Sequence, residues 1–169
     1  MANSEIVTNL LRFIVLVLLQ VLLFNHINFL GYINPFVYVL FILMFPLTGN
    51  KTLLIFLSFL LGLSVDMFSD TGGVHAGASV FIAWVRPVIL KYSFGVSYEY
   101  NAINVGRAYI SQQVTYIGSM VLLHHLILFS LEIFSFSHIL LVLKYALFSG
   151  IFGFVLIHSL VLLFSRKKT

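Results

Sequence analysis

The chain is dominated by apolar runs, at about residues 10–30, 36–48, 52–68, 75–92, 113–131 and 139–164, separated by short polar stretches. Most are long enough for a helix to cross the roughly 30 Å hydrocarbon layer of a bilayer. Of the 169 residues, 61% are hydrophobic and only 8% charged, whereas a soluble domain carries about a quarter charged residues. Too few polar atoms remain to cover a water-facing surface. That excludes a soluble enzyme, a disordered tail and a nucleic-acid module. Nine Lys and Arg against five Asp and Glu give a net charge of +4. So thin and dispersed an excess does not bind a phosphate backbone, but it is the kind that orients a membrane protein. Cysteine is absent, which removes disulfides, thiolate metal sites and a cysteine nucleophile. The expectation is an all-α fold, a polytopic membrane helical bundle of about six transmembrane helices, forming a single integral membrane domain over residues 1–169.

The second run is the short one. From Phe36 to Thr48 a helix rises only about 20 Å, with Pro35 suited to its first turn and Pro46 disposed to kink or end it. A spanning helix is expected, kinked past Pro46 or set in a thinned bilayer, and a re-entrant segment is the alternative. Arg166, Lys167 and Lys168 follow the last run and belong on the cytoplasmic side. Counting back, Lys91, Arg107, Lys51 and Arg12 fall inside, while Asp66, Asp70 and Glu132 fall outside. Both termini are therefore expected in the cytoplasm. The first run is no secretory signal, since it carries Gln20, Asn25 and His26 and no small-residue cleavage site. In the long connection at about 93–112, Tyr98, Tyr100 and Tyr109 suit the headgroup region.

The densest polar cluster is GLSVDMFSDTGGVHAGAS, from Gly62 to Ser79. Asp66 and Asp70 are four apart and share a face if the helix lasts that long, but Gly72-Gly73 argues against continuation. Gly73 and Gly77 form a small-xxx-small pair that admits a neighbouring backbone. Asp66 and His75 read either as parts of a tight turn feeding a packed helix or as contacts for a partner or ligand. Arg86, before Pro87, either snorkels toward the inner interface near Lys91 or is a buried cation paired across the bundle. His124-His125 and Glu132 sit in the fifth run. Adjacent imidazoles point about 100° apart and do not chelate as an i, i+4 pair does, so interhelical hydrogen bonding is the expected role. Gly150 and Gly153, with Ala146 and Ser149, give the sixth run a small-residue packing stripe. No nucleophile elbow, zinc-helix motif or phosphate loop is present. No catalytic, cofactor-binding or metal-binding residues are therefore expected.

Three stretches, QVLLFNHINFLGYINPFVYVLFILMFPL, GLSVDMFSDTGGVHAGAS and LLHHLILFSLEIFSF, together resemble the rod shape-determining MreD family over nearly the whole chain. The last of them matches only part of that family. The resemblance implies a fold similar to the six-helix substrate-binding subunits of energy-coupling-factor transporters. It also implies a non-catalytic component of the bacterial inner-membrane cell-elongation complex, supporting cell shape and peptidoglycan synthesis. MreC is the implied direct partner. MreB, RodA and a class B penicillin-binding protein are reached through it, and no cofactor is implied. Gly62, Asp66 and Gly73 correspond to motif positions without assigned roles. A small-molecule-binding subunit of a membrane transporter is the alternative.

Overall fold

The computed structural model describes residues 2–27, 29, 31, 33–47, 50–95 and 104–164. The basic tail Arg166-Lys167-Lys168 and the loop tyrosines Tyr98 and Tyr100 lie outside the described residues. The helices are α1 (Ala2–Leu22), α2 (Val39–Met44), α3 (Lys51–Ser69), α4 (Val74–Phe94), α5 (Ile110–Ile133) and α6 (Ile139–Phe164). Single 3₁₀ turns stand at Phe24–His26, Val105–Arg107 and Phe136–His138. No named strand occurs among the described residues, where Phe29 and Ile33 make one isolated bridge. Five helical stretches, of 19 to 26 residues, are long and apolar enough to cross a membrane. The protein is a helical, multi-pass membrane chain by length and composition.

Burial supports that placement. Leu11, Leu18, Phe56, Phe59, Met67, Trp84, Val88 and Leu140 face outward, while Gln20, Ser58, Asp66, His75, Ser79, Arg86, Gln113, His124, His125 and Ser149 are buried. An apolar exterior around a polar-studded interior suits lipid, where every buried polar group must find its partner inside the protein. Hydroxyls within the helices bond back one turn, as Ser58 Oγ does to the Leu54 carbonyl at 2.7 Å and Ser64 Oγ to Leu60 at 2.8 Å. Helices α3, α4, α5 and α6 pack in sequence, each on the next, and α1 lies against α3.

The second apolar run departs from expectation. It forms no long helix. Helix α2 has six residues, about 9 Å of rise. The flanking chain is extended or in turns, and Ile33, Phe36, Val37, Tyr38, Val39, Phe41, Ile42, Leu43 and Phe45 are all buried. The segment runs antiparallel to α1, and hydrogen bonds fix it at both levels. Near the C-terminal end of α1, Gln20 Nε2 donates to the Pro35 carbonyl at 3.2 Å, and Gln20 Oε1 accepts from Val37 N at 2.8 Å. Nearer the N-terminal end, Arg12 donates to the Met44 carbonyl at 3.1 Å. Non-helical backbone at membrane depth is tolerated only when protein surrounds it. Gln20 supplies the acceptor and donor that a helix would have supplied.

The α3–α4 hairpin has defined ends. Asn50 Oδ1 caps α3 by accepting from Thr52 N at 2.8 Å and Leu53 N at 3.3 Å. Asp70 ends α3 in the left-handed region with φ 55°, and Gly72 and Gly73 follow at φ 64° and 100°. The helix does stop at the two glycines. Asp70 is consequently exposed on the turn rather than sharing a helical face with buried Asp66.

Candidate functional site

Helix α4 begins at a glycine, so its N-cap position has no side chain to accept the first free amides. Asp66, one turn before the end of α3, supplies the acceptor instead. Its Oδ1 accepts from His75 N at 3.0 Å and its Oδ2 from Ala76 N at 2.8 Å. The Thr71 hydroxyl donates to Oδ1 at 2.5 Å. The carboxylate, 4% exposed, thus spans two helices and the turn between them, beside the positive end of the α4 dipole. Of the two readings of Asp66 from the sequence, turn and helix capping is the role the geometry displays.

This arrangement requires close approach, and Gly62 provides it. A Cβ at Gly62 would lie 2.5 Å from the His75 carbonyl oxygen and the Ala76 Cα. Gly62 and Asp66 are one turn apart on α3, so the same face brings the backbone near and then bonds it. The expected pair Gly73 and Gly77 does not do this. Gly73 has open space around it, and a Cβ on exposed Gly77 would meet only the tip of Leu131 at 3.1 Å. Close packing rests on Gly62 because its partner is backbone, which cannot swing aside.

His75 Nδ1 lies 3.0 Å from Asp66 Oδ1 and 3.0 Å from Thr71 Oγ1. The Thr71 proton is already directed at Asp66, so Nδ1 carries the ring hydrogen. Nε2 is left with no partner among the described residues. The imidazole edge also meets Phe36, at a centroid distance of 5.2 Å. Phe36 in turn contacts His124 at 5.9 Å and His125 at 5.2 Å. Three histidines from two helices therefore surround a phenylalanine of the return segment. The Tyr38 hydroxyl and His124 Nε2 are hydrogen-bonded at 2.7 Å, the expected contact between elements. His125 Nδ1 donates within α5 to the Val121 carbonyl at 2.8 Å. Gly153 and Gly150 of α6 leave room for its ring, a Cβ at Gly153 lying 3.3 Å from His125 Cε1. Among the described residues no group of three His, Asp or Glu side chains is placed to hold a metal ion.

Compared with family models, curated proteins and solved structures, the chain matches none.

A cavity of about 390 Å³ opens at the α3–α4 turn, between the C-terminal ends of α1 and α5. Its polar wall is Asn25, His26, Asn34, Ser69, Thr71, His75 and Glu132, and its apolar wall includes Phe36, Phe68 and Phe129. Asn25 and Ser69 are already joined, Nδ2 to Oγ at 2.8 Å. Glu132 is exposed and His75 is 4% exposed, so the two sit at the rim and in the wall of one space.

Arg86 belongs to the other end of the bundle. It does not snorkel. The residue is 4% exposed, its Nε donates to the Tyr116 hydroxyl at 2.9 Å, and its guanidinium donates to the Leu43 and Phe45 carbonyls. The Tyr116 hydroxyl also donates to Leu43, at 3.1 Å. These carbonyls end α2, where the helix dipole is negative and no further turn donates an N–H to them. The cation is paired across the bundle with backbone rather than with a carboxylate. Sequence reading did not single out Gln20, Tyr38, Thr71, Tyr116 or Asn34 as site residues. Polar groups inside apolar runs were the available signal.

Proposed function

We propose that this chain is a non-catalytic, multi-pass component of the bacterial inner membrane of the MreD kind, acting in the cell-elongation complex by binding MreC. MreB, RodA and a class B penicillin-binding protein are the partners reached through MreC. The observation that carries this reading is how the buried polar groups are used. Asp66 caps α4, Arg86 and Tyr116 hold the end of α2, Gln20 holds its approach, and His124 holds Tyr38. Polar chemistry spent on holding the bundle leaves the helix faces as the recognition surface, and those recognise other membrane helices by close packing. The family itself is named by the resemblance of the Gly62–Ser79 stretch and its neighbours. The reading includes six crossings, the α2 segment counting as one, a fold like the substrate-binding subunits of energy-coupling-factor transporters, and both termini in the cytoplasm.

The cavity between α1 and α5 favours a second reading, a ligand-binding subunit of a membrane transporter. Partner capture separates the two. The tagged chain, extracted in detergent from its own cells, is expected to carry MreC with it, and its depletion is expected to round the cells. Rod-shaped growth after complete loss, with an ATPase pair captured in place of MreC, would replace the first reading by the second.

A further inference from the structure

We propose that the cavity at the α3–α4 turn binds a primary ammonium group, with Glu132, His75 and Asn34 accepting its hydrogens. The argument is an imbalance of donors and acceptors. His75 is nine-tenths buried, with Nδ1 committed to Asp66 and Thr71 and Nε2 unpartnered among the described residues. Asn34 has its Oδ1 buried without a donor, which is costly unless a ligand or water supplies one. The Glu132 carboxylate on the rim makes no hydrogen bond among the described residues. The lining includes no Lys or Arg. A phosphate or carboxylate would be repelled by the Glu132 carboxylate and find donors at His26 and the Asn34 amide, whereas an ammonium group brings three N–H donors and the sign opposite to Glu132. Phe36, Phe68 and Phe129 belong to the apolar wall, and an aromatic face attracts a cation through its ring quadrupole. At about 390 Å³ the space lies within the range of small-ligand sites, roughly 300–1,000 Å³.

The same chemistry comes from two sources, the ethanolamine headgroup of a lipid or a soluble primary amine. The inference stands apart from partner identity, because the purified chain alone is tested. The full chain would be titrated with ethanolamine by calorimetry, and lipid retention would be read by native mass spectrometry after mixing with phosphatidylethanolamine, phosphatidylcholine and phosphatidylglycerol. Saturable ethanolamine binding supports the soluble source. Selective retention of phosphatidylethanolamine without ethanolamine binding supports the headgroup. In either case tetramethylammonium, which lacks N–H donors, should compete poorly. Glu132→Gln should weaken binding at least about tenfold, the scale of one lost charge-assisted contact. Because Glu132 makes no internal hydrogen bond, that variant is expected to keep its fold. Absence of both binding signals, preference for phosphatidylglycerol, or unchanged binding in Glu132→Gln would overturn the proposal.

Discussion

At the scale of single residues, the α3–α4 contact makes opposite demands on two glycines. A methyl group at Gly62 would meet the backbone of His75 and Ala76 at 2.5 Å, so Gly62→Ala must push two helices apart. Such overpacking costs about 1–3 kcal/mol or more where backbone resists it. Gly77→Ala meets only a leucine tip and should cost little. Thermal unfolding of both variants in detergent is expected to show a clearly lower midpoint for Gly62→Ala alone, and equal midpoints would refute the assignment. Asp66→Asn tests the cap beside it. Both carboxylate oxygens accept backbone amides, and a carboxamide sets an NH₂ against one of them. The expected loss is about 1–3 kcal/mol, visible as faster hydrogen exchange in the first turn of α4. Asp66 stood out in the sequence as a carboxylate in an apolar context, and the following Gly72-Gly73 marked the turn. Which glycine carried the contact did not stand out, because spacing alone gives Gly73 and Gly77 the same standing as Gly62. Only the crossing point of two helices distinguishes them.

Among the secondary elements, the long helices were legible and α2 was not. A run such as 139–164 has no plausible state in lipid but a helix, whereas 36–48 has a proline near either end and too few residues to span as one. Its actual form depends on partners distant in sequence, Gln20 on one side and Arg86 with Tyr116 on the other. No local pattern announces them. Arg86 reads as a snorkelling cation because its position, five residues from Lys91, fits the interface. The free carbonyls that draw it inward exist only once α2 ends at Met44. The bond from Arg86 Nε to Tyr116 and the shared Leu43 carbonyl make one unit, so its parts should not be additive. Arg86→Met should destabilise by several kcal/mol, since it strands carbonyls in a dry interior. Tyr116→Phe should cost about 1 kcal/mol, the scale of one neutral hydrogen bond. In the double variant the cost of removing the hydroxyl should differ from its cost alone, because Leu43 then loses both of its side-chain donors. Full additivity of the two melting shifts would mean that the residues do not act together.

The whole molecule turns on whether the α2 segment counts as a crossing. Asn25, just past α1, bonds Ser69 at the end of α3, so these two helices end at the same level. Arg12, midway along α1, bonds Met44, and Arg86, in the second half of α4, bonds Leu43 and Phe45, so the chain is on its way back before α3 starts at Lys51. The return is made through protein, with Val37, Tyr38, Val39, Ile42 and Leu43 at most 1% exposed, which is the condition under which irregular backbone can lie at membrane depth. Five long helices alone would put the two termini on opposite sides of the bilayer. Five helices with this return counted as a crossing would put them on the same side. The two outcomes are separable because the chain has no cysteine, so a single introduced thiol labels without background. Asp70→Cys and Ser137→Cys, exposed at the α3–α4 and α5–α6 turns, are expected to react with an impermeant maleimide in intact cells. Lys51→Cys and Tyr92→Cys are exposed at the other end of the bundle and are expected to react only after the cells are opened. Reporters fused at either terminus should then both report the cytoplasm. A cytoplasmic C-terminus with an external N-terminus would mean that residues 33–47 turn back before crossing, and would place α1 in the bilayer with the opposite direction to the one its bonds to Met44 and Ser69 require.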